Sequence, residues 1–512
     1  MSIFSKPGTA VLLVSWLIML MLLFVPNVQA SPTTWSIETV DAATNVGFDS
    51  SIALSPVDRP QICYTDHHWW DLKYANWTGT AWSIEAVDTV GDVGRQPSLA
   101  LDSSGNPHIS YYDYSNWDLK YARWTGSAWS IETVDSVGTV GEASSLALDS
   151  SGNPHISYRD NTNAALKYAH WTGSAWSIET VDSTGNVGWY SSLALDSSGN
   201  PHIVHYSSGI GDLKYARWTG SAWSIETVDS TGDVGAYSSL ALDSSGNPRI
   251  SYYDKTNYDV KYARWTGSAW SIETVDSTGD VGGGVSLALD LEGNPHLSYY
   301  DNTNGDLKYA RWTGSAWSVE TIGSTGVVGA DCSLALDSKG NPRISYYDWA
   351  NFNLKYAAGV HELPTDTVIE SCNLIGERKD SFDLGEIVFV NGSGFSPSTA
   401  YSLYVVVDQA IWIDGMAIPE RVPDTEPGVS SNADGTISPT DVWHNPQTAG
   451  NYDIIVDVNG NGHYDSDIDV LDDNDTEITA GLSIIPEFST ILPFFLLATS
   501  LSAILLKKKI WQ

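Results

Sequence analysis

The chain has 512 residues, with 25 Lys and Arg against 62 Asp and Glu, for a formal net charge of −37. That balance excludes a nucleic-acid binder, because a polyanion needs a basic face to displace its counterions. Only 17% of residues are charged, while Gly (44), Tyr (26) and Trp (22) are abundant, a mixture that suits short strands and tight turns and not a helical bundle.

Residues 1–30 read as a secretory signal peptide. Lys6 precedes an apolar run from Ala10 to Val25, and Val28-Gln29-Ala30 offers small residues for cleavage. From there one unit recurs every 47 residues. The tetrapeptide Leu-Lys-Tyr-Ala, or a close variant, begins at Leu72, Leu119, Leu166, Leu213, Val260, Leu307 and Leu354. A Trp-Ser-(Ile/Val)-Glu segment begins at Trp35, Trp82, Trp129, Trp176, Trp223, Trp270 and Trp317. A fixed period of this size marks a repeat architecture.

Each unit predicts four antiparallel strands. In the second copy they cover 98–102 (A), 107–113 (B), 119–125 (C) and 128–135 (D), with turn chemistry at Ser103-Ser104-Gly105-Asn106 and at Gly126-Ser127. The array enters on an orphan D strand at 35–40 and leaves after an A, B and C set at 333–337, 342–348 and 354–358. These halves complete each other. The expected fold is therefore all-β, a seven-bladed β-propeller over residues 34–360 whose N-terminal strand closes the last blade. An open solenoid would instead want atypical capping units. The aromatic C strand turning tightly into a Trp-bearing D strand resembles the seven-bladed lectin-like propellers of bacteria, and that resemblance implies sugar binding.

The copies also serve as an internal alignment. The A–B and C–D turns barely change, whereas the B–C loop and the dipeptide between D and A differ in nearly every copy. Consecutive strands run antiparallel, so both variable stretches fall on one face. That face gathers Phe48, Trp69, Trp70, Trp117, Trp189, Tyr190, Tyr258, Trp349 and Phe352. Flat apolar rings flanked by Asn, Asp and His suit an extracellular glycan or a surface protein as partner; simple drift of the longer loops is the alternative. His108, His155, His202 and His296 open B strands of different blades, too far apart to share an ion, and read as structural. Asp113, Asp160, Asp254, Asp301 and Asp348 recur at the B-strand end as turn caps. No nucleophile–base pattern stands out from the repeat, and the chain is expected not to be an enzyme. Cys63 and Cys332 lie in the first and seventh copies, adjacent across the closure, where a bridge is open to them.

A linker at 361–366 leads to residues 367–484, whose alternating runs read as an immunoglobulin-like β-sandwich. Within it, Asp457, Asn459, Asn461 and Asp465 match the first part of an EF-hand loop, with Asp467 or Asp469 substituting for Ile468. Calcium is the expected cofactor, a solvated acidic hairpin the alternative. Asn76, Asn391 and Asn474 sit in glycosylation sequons. In 485–512, Pro486-Glu487-Phe488 precedes an apolar stretch from Ile491 to Leu506 and then Lys507, Lys508 and Lys509. The order resembles the archaeal PEF-type sorting tails and implies anchoring at the membrane or envelope, with the preceding chain outside. The leading expectation is an anchored cell-surface binding or adhesion protein, ahead of a structural envelope component and a polysaccharide-acting enzyme.

Overall fold

The structure, a computed structural model, describes residues 33–291, 293–361, 368–372, 374, 381–383, 386–393, 395, 399–407, 416–423, 425, 428–432, 436–443, 446, 448, 450–458, 463–464, 470–471 and 482–485. The signal peptide and the sorting tail lie outside the described residues. The chain divides into two compact units, of which one is Pro32–His361.

That unit is seven four-stranded antiparallel sheets. In the first blade the strands run A Val46–Leu54, B Pro60–Asp66, C Asp71–Trp77 and D Trp82–Asp88, and the sheet follows that order. The last blade takes Val328–Leu336, Pro342–Asp348 and Asn353–His361 from the end of the array and borrows Thr33–Asp41 as its outer strand. Thr33 lies opposite His361 and Asp41 opposite Leu354. The ring is thus a seven-bladed β-propeller closed by its N-terminal strand, which covers the edge that the last blade's Asn353–His361 strand would otherwise expose.

The repeat residues explain the ring. In the A–B turn the Asp102 carboxylate accepts the N–H groups of Ser104 at 2.9 Å and Asn106 at 2.8 Å, fixing the hairpin. Gly94 sits at φ +78°, and a Cβ there would lie 2.6 Å from Leu72 Cα, so the inner strand approaches the preceding blade only through glycine. Between blades, the Tyr111 hydroxyl donates to Asp88 at 2.7 Å, and Lys120 pairs with both Asp88 and Asp113. Burial works to raise the Asp88 carboxyl, but hydrogen bonds from Lys120 and Tyr111 outweigh it and hold the group below its ordinary range. On the outer strands Trp129 donates to Glu85 at 3.1 Å and packs edge-on against Tyr74 of the preceding blade. Around the axis, Leu99 N–H donates to Ser51 Oγ at 3.1 Å. The same bond recurs between every pair of inner strands and ends with Ile52 N–H on Ser333 Oγ at 3.2 Å.

Two expectations change. The A strand starts earlier than the hydrophobic pattern suggests, at Arg95 in the second blade, and breaks register with its B neighbour between Arg95 and Ser98. The variable dipeptide is therefore part of the inner strand and not a loop. Cys63 and Cys332 form no bridge: both are buried free thiols, and Cys332 Sγ donates to Gly284 O at 3.1 Å.

Further β-sheets make up the described part of the other unit. Val368–Cys372, Val388–Ser393 and Ile437–Trp443 form one sheet. Ala400–Val407 and Gly450–Asp457 lie at the centre of a second. Val388, Val390 and Trp443 from the first share a core with Leu403, Val405 and Ile454 from the second, which makes a two-sheet β-sandwich. Among the described residues no helix is long and apolar enough to cross a membrane.

Candidate functional site

The register break gives the inner strands a common device. The second residue of each variable dipeptide is left-handed: Asp49 at φ 49°, Gln96 at 49°, Ala143 at 52°, Tyr190 at 51°, Tyr237 at 52°, Gly284 at 60° and Asp331 at 50°. Neighbouring members touch. Gln96 N–H donates to Asp49 Oδ2 at 3.2 Å, and Ala143 N–H to Gln96 Oε1 at 2.7 Å. The Tyr190 and Tyr237 rings lie 4.4 Å apart, and the backbone N–H of Asp49 bonds the Asp331 carboxylate. The result is a collar of seven positions holding five residue types where the inner strands begin. It is chemically lopsided, with two carboxylates on blades seven and one, an amide on blade two, two phenols on blades four and five, and Ala143 and Gly284 on blades three and six.

The carboxylates stand out electrostatically. Burial first, and then the Asp49 charge, push Asp331 up to about 7 against the bond from Asp49 N–H. Asp49 is raised as well, chiefly by burial, with the Gln96 N–H and the charge of Arg95 opposing. Among the described residues no Lys, Arg or His forms an ion pair with either one. Arg95 is already held by Asp92, at 2.9 Å and 2.6 Å. His67 is kept neutral, since burial and then Arg95 press it down to about 4.

Beside the pair stands a wall of stacked side chains that crosses the ring closure. Arg95 lies over Tyr114 at 3.9 Å and over Trp70 at 4.6 Å, and Trp70 meets His67 at 4.6 Å. His67 stacks on Phe48 at 3.7 Å, Phe48 on Tyr347 at 3.8 Å, and Tyr347 meets Trp349 edge-on at 4.9 Å. Of the residues singled out from the sequence, Phe48, Trp70 and Trp349 thus belong to one assembly, and Trp69 shares the turn of Trp70. Trp69 is 68% exposed, and Trp70, Trp349 and Phe352 are exposed too, whereas Phe48 is buried at 8%. The Phe48 ring is part of the packing between blades and offers no free surface. Trp117 and Tyr258 are exposed on blades two and five. Trp189 is half-buried under Arg159, 4.1 Å away, and Tyr190 is half-buried in the collar. His67, Arg95, Tyr114, Tyr347 and the carboxylate pair are members that sequence reasoning did not single out.

The remaining candidates have structural partners. Nδ1 of His108, His155, His202 and His296 bonds a tyrosine of its own blade, so the four form no shared site. The Asp113 carboxylate accepts from Asn116 N–H at 3.1 Å, and Asp160, Asp254, Asp301 and Asp348 cap their turns likewise. A groove of about 500 Å³ on the opposite face is lined by Asp196, His202, Arg217 and Trp218, residues whose type recurs along the repeat. Of the six expected calcium ligands, Asp457 is described, buried at the end of its strand. Asn459, Asn461, Asp465, Asp467 and Asp469 lie outside the described residues.

No protein-family model and no curated protein matches the chain. Solved structures similar to it include a polysaccharide lyase, the PL25 ulvan lyase, at 14% identity and TM-score 0.43, covering 61% of this chain and 94% of that one. YCF48 bound to D1 peptide is similar at 14% identity and TM-score 0.43, covering 64% of this chain and 97% of that one. The Hadza microbial sialidase Hz136 is similar at 14% identity and TM-score 0.41, covering 60% and 74%. These likenesses assign no activity to the chain. They do correct one expectation: with a lyase and a sialidase among its structural neighbours, the exclusion of enzymatic activity drawn from the repeat background does not stand. The physical flaw in that exclusion is visible in the collar, where ring closure sets two carboxylates side by side.

Proposed function

We propose that the chain is a binding protein whose ligand, a glycan, seats on the aromatic wall beside the collar mouth. The observation that supports this reading is the continuous stack from Tyr114 to Trp349, which rigidly presents exposed Trp70 and Trp349 next to polar groups. Indole faces cover the apolar face of a sugar ring, and neighbouring carboxylates and hydroxyls take up its edge. A protein surface is the second partner class, and display outside the cell on the C-terminal tail belongs to the same proposal. Calcium bound around Asp457 is proposed alongside it, as a stabiliser of the sandwich.

The test is a glycan and peptide array probed with the purified chain, followed by titration of each hit against Trp349→Ala and Trp69→Ala. The expected loss is about 2 kcal/mol for an anchoring ring, roughly thirtyfold in affinity. Ser150→Ala, in an A–B turn on the other face, is the control and should bind as the parent does. Silence of the array together with self-association of the chain would favour an envelope scaffold instead.

A further inference from the structure

Interior carboxylates of the propeller come with a cation or a full set of donors. Asp88 has Lys120, Asp135 has Lys167, Asp276 has Lys308, and Asp254 has Lys261 together with the Asn257 side chain. Asp49 and Asp331 break that rule: two carboxylates side by side, each bonded by one backbone N–H, with no ion pair among the described residues. Next to them is a second irregularity. Tyr347, opposite Ala330 in the sheet register and packed on Phe48, is fully buried, yet its hydroxyl has no hydrogen-bond partner. In other blades the equivalent Tyr206 and Tyr253 donate to Asp233 and Asp280. Asp331 is the leading charged neighbour of Tyr347. The Tyr347 hydroxyl beside the uncompensated carboxylates leaves donor and acceptor capacity at one place that a ligand can take up.

We infer that the Asp49–Asp331 pair receives the protonated amine of an amino sugar, whose ring lies on the Trp349 side of the wall. The inference rests on the glycan reading above and names its substrate class. An ammonium group supplies three donors and the missing charge, and an adjacent sugar hydroxyl supplies the acceptor that Tyr347 lacks. An acidic polysaccharide is disfavoured by the same geometry, because its carboxylate or sulfate would face the pair's negative charge across a poorly solvated mouth. A metal ion fits less well, since no group of three or more His, Cys, Asp or Glu suited to one occurs among the described residues.

The experiment is calorimetric titration of the full chain, at pH 6 and moderate salt, with a fully deacetylated glucosamine oligomer and with its N-acetylated counterpart. The deacetylated oligomer should bind at least tenfold more tightly. Asp331→Asn and Asp49→Asn should each erase that preference while leaving affinity for the acetylated oligomer within about twofold. Glu132→Gln, on an exposed outer strand, should keep it, which separates the pair from general attraction of cations to an acidic protein. Equal affinity for the two oligomers, or a preference that survives in Asp331→Asn, overturns the inference; the aromatic-wall reading stands in that case if Trp349→Ala still weakens both. If neither oligomer nor any array glycan binds, both readings fall. A lysine peptide that binds through Asp331 more tightly than either oligomer overturns the sugar class.

Discussion

The serine ring and the collar occupy the same seven inner strands a few residues apart, and they obey opposite rules. In the ring every blade places the same hydroxyl under the N–H of the next, from Ser51 and Leu99 round to Ser333 and Ile52. In the collar the side chain changes between neighbouring blades except at Tyr190–Tyr237 and at the closure, where Asp331 meets Asp49, although the backbone turns the same way in all seven. Sevenfold agreement is what closing a ring requires, because each interface must fit the next. Side chains that vary from blade to blade on an unchanged backbone are not what closure demands. The repeat therefore separates, within one chain, residues held by the fold from residues free to meet a ligand.

The largest expected effect tests the ring itself. Deleting Thr33–Asp41 removes the outer strand of the last blade, with its hydrogen bonds to Asn353–His361 and the burial of Val40. The loss should be on the order of 5 kcal/mol, and the exposed edge should template association. Thermal melting and size-exclusion chromatography check this; an unchanged, monomeric truncation would break the closure argument.

A second comparison sharpens the boundary within the aromatic wall. Phe48→Ala empties a buried position between His67 and Tyr347 and should cost about 3 kcal/mol of stability. Trp69→Ala, at a turn tip, should change stability by no more than about 0.5 kcal/mol while weakening binding. Chemical denaturation of both variants decides it. Equal stability losses would mean that the exposed rings also belong to the packing.

The seven blades and the closing strand were legible in the sequence because a period of 47 residues exposes both the strand pattern and its truncated ends. Turn caps such as Asp113 were legible for the same reason. The collar was not. A left-handed residue inside a strand leaves no mark in a hydrophobic pattern, so Asp49 and Asp331 looked like loop residues. They lie 282 positions apart in the chain and meet only through ring closure. Reading one column of the repeat as a circle, with the first copy beside the seventh, was the available signal. The wall was half legible: its tryptophans are conspicuous at loop tips, while His67, Arg95 and Tyr347 look like ordinary repeat variation.

The smallest expected effect bears on the collar's charge. The Asp331 carboxyl titrates at about 7 in the folded chain against an ordinary value of 3.8. Between those values the folded state holds a proton that the unfolded state has released, so this group's contribution to stability is present in full below about pH 4. It drains away as the pH rises through about 7. The titratable groups that interact with Asp331 are Asp49, Tyr347 and Cys332, and Arg95, which acts on Asp49, is occupied by Asp92. Asp331→Asn keeps an oxygen for the Asp49 N–H and has nothing to ionise. At pH 8 the variant should be more stable than the parent, by on the order of 1 kcal/mol, and the difference should shrink towards zero as the pH falls to 4. Denaturant midpoints of both proteins across that range, taken as a difference so that every other titrating group cancels, measure it. A difference that is flat with pH, or a variant less stable at pH 8, would mean that the pair is compensated after all and that the collar is as settled as the serine ring beneath it.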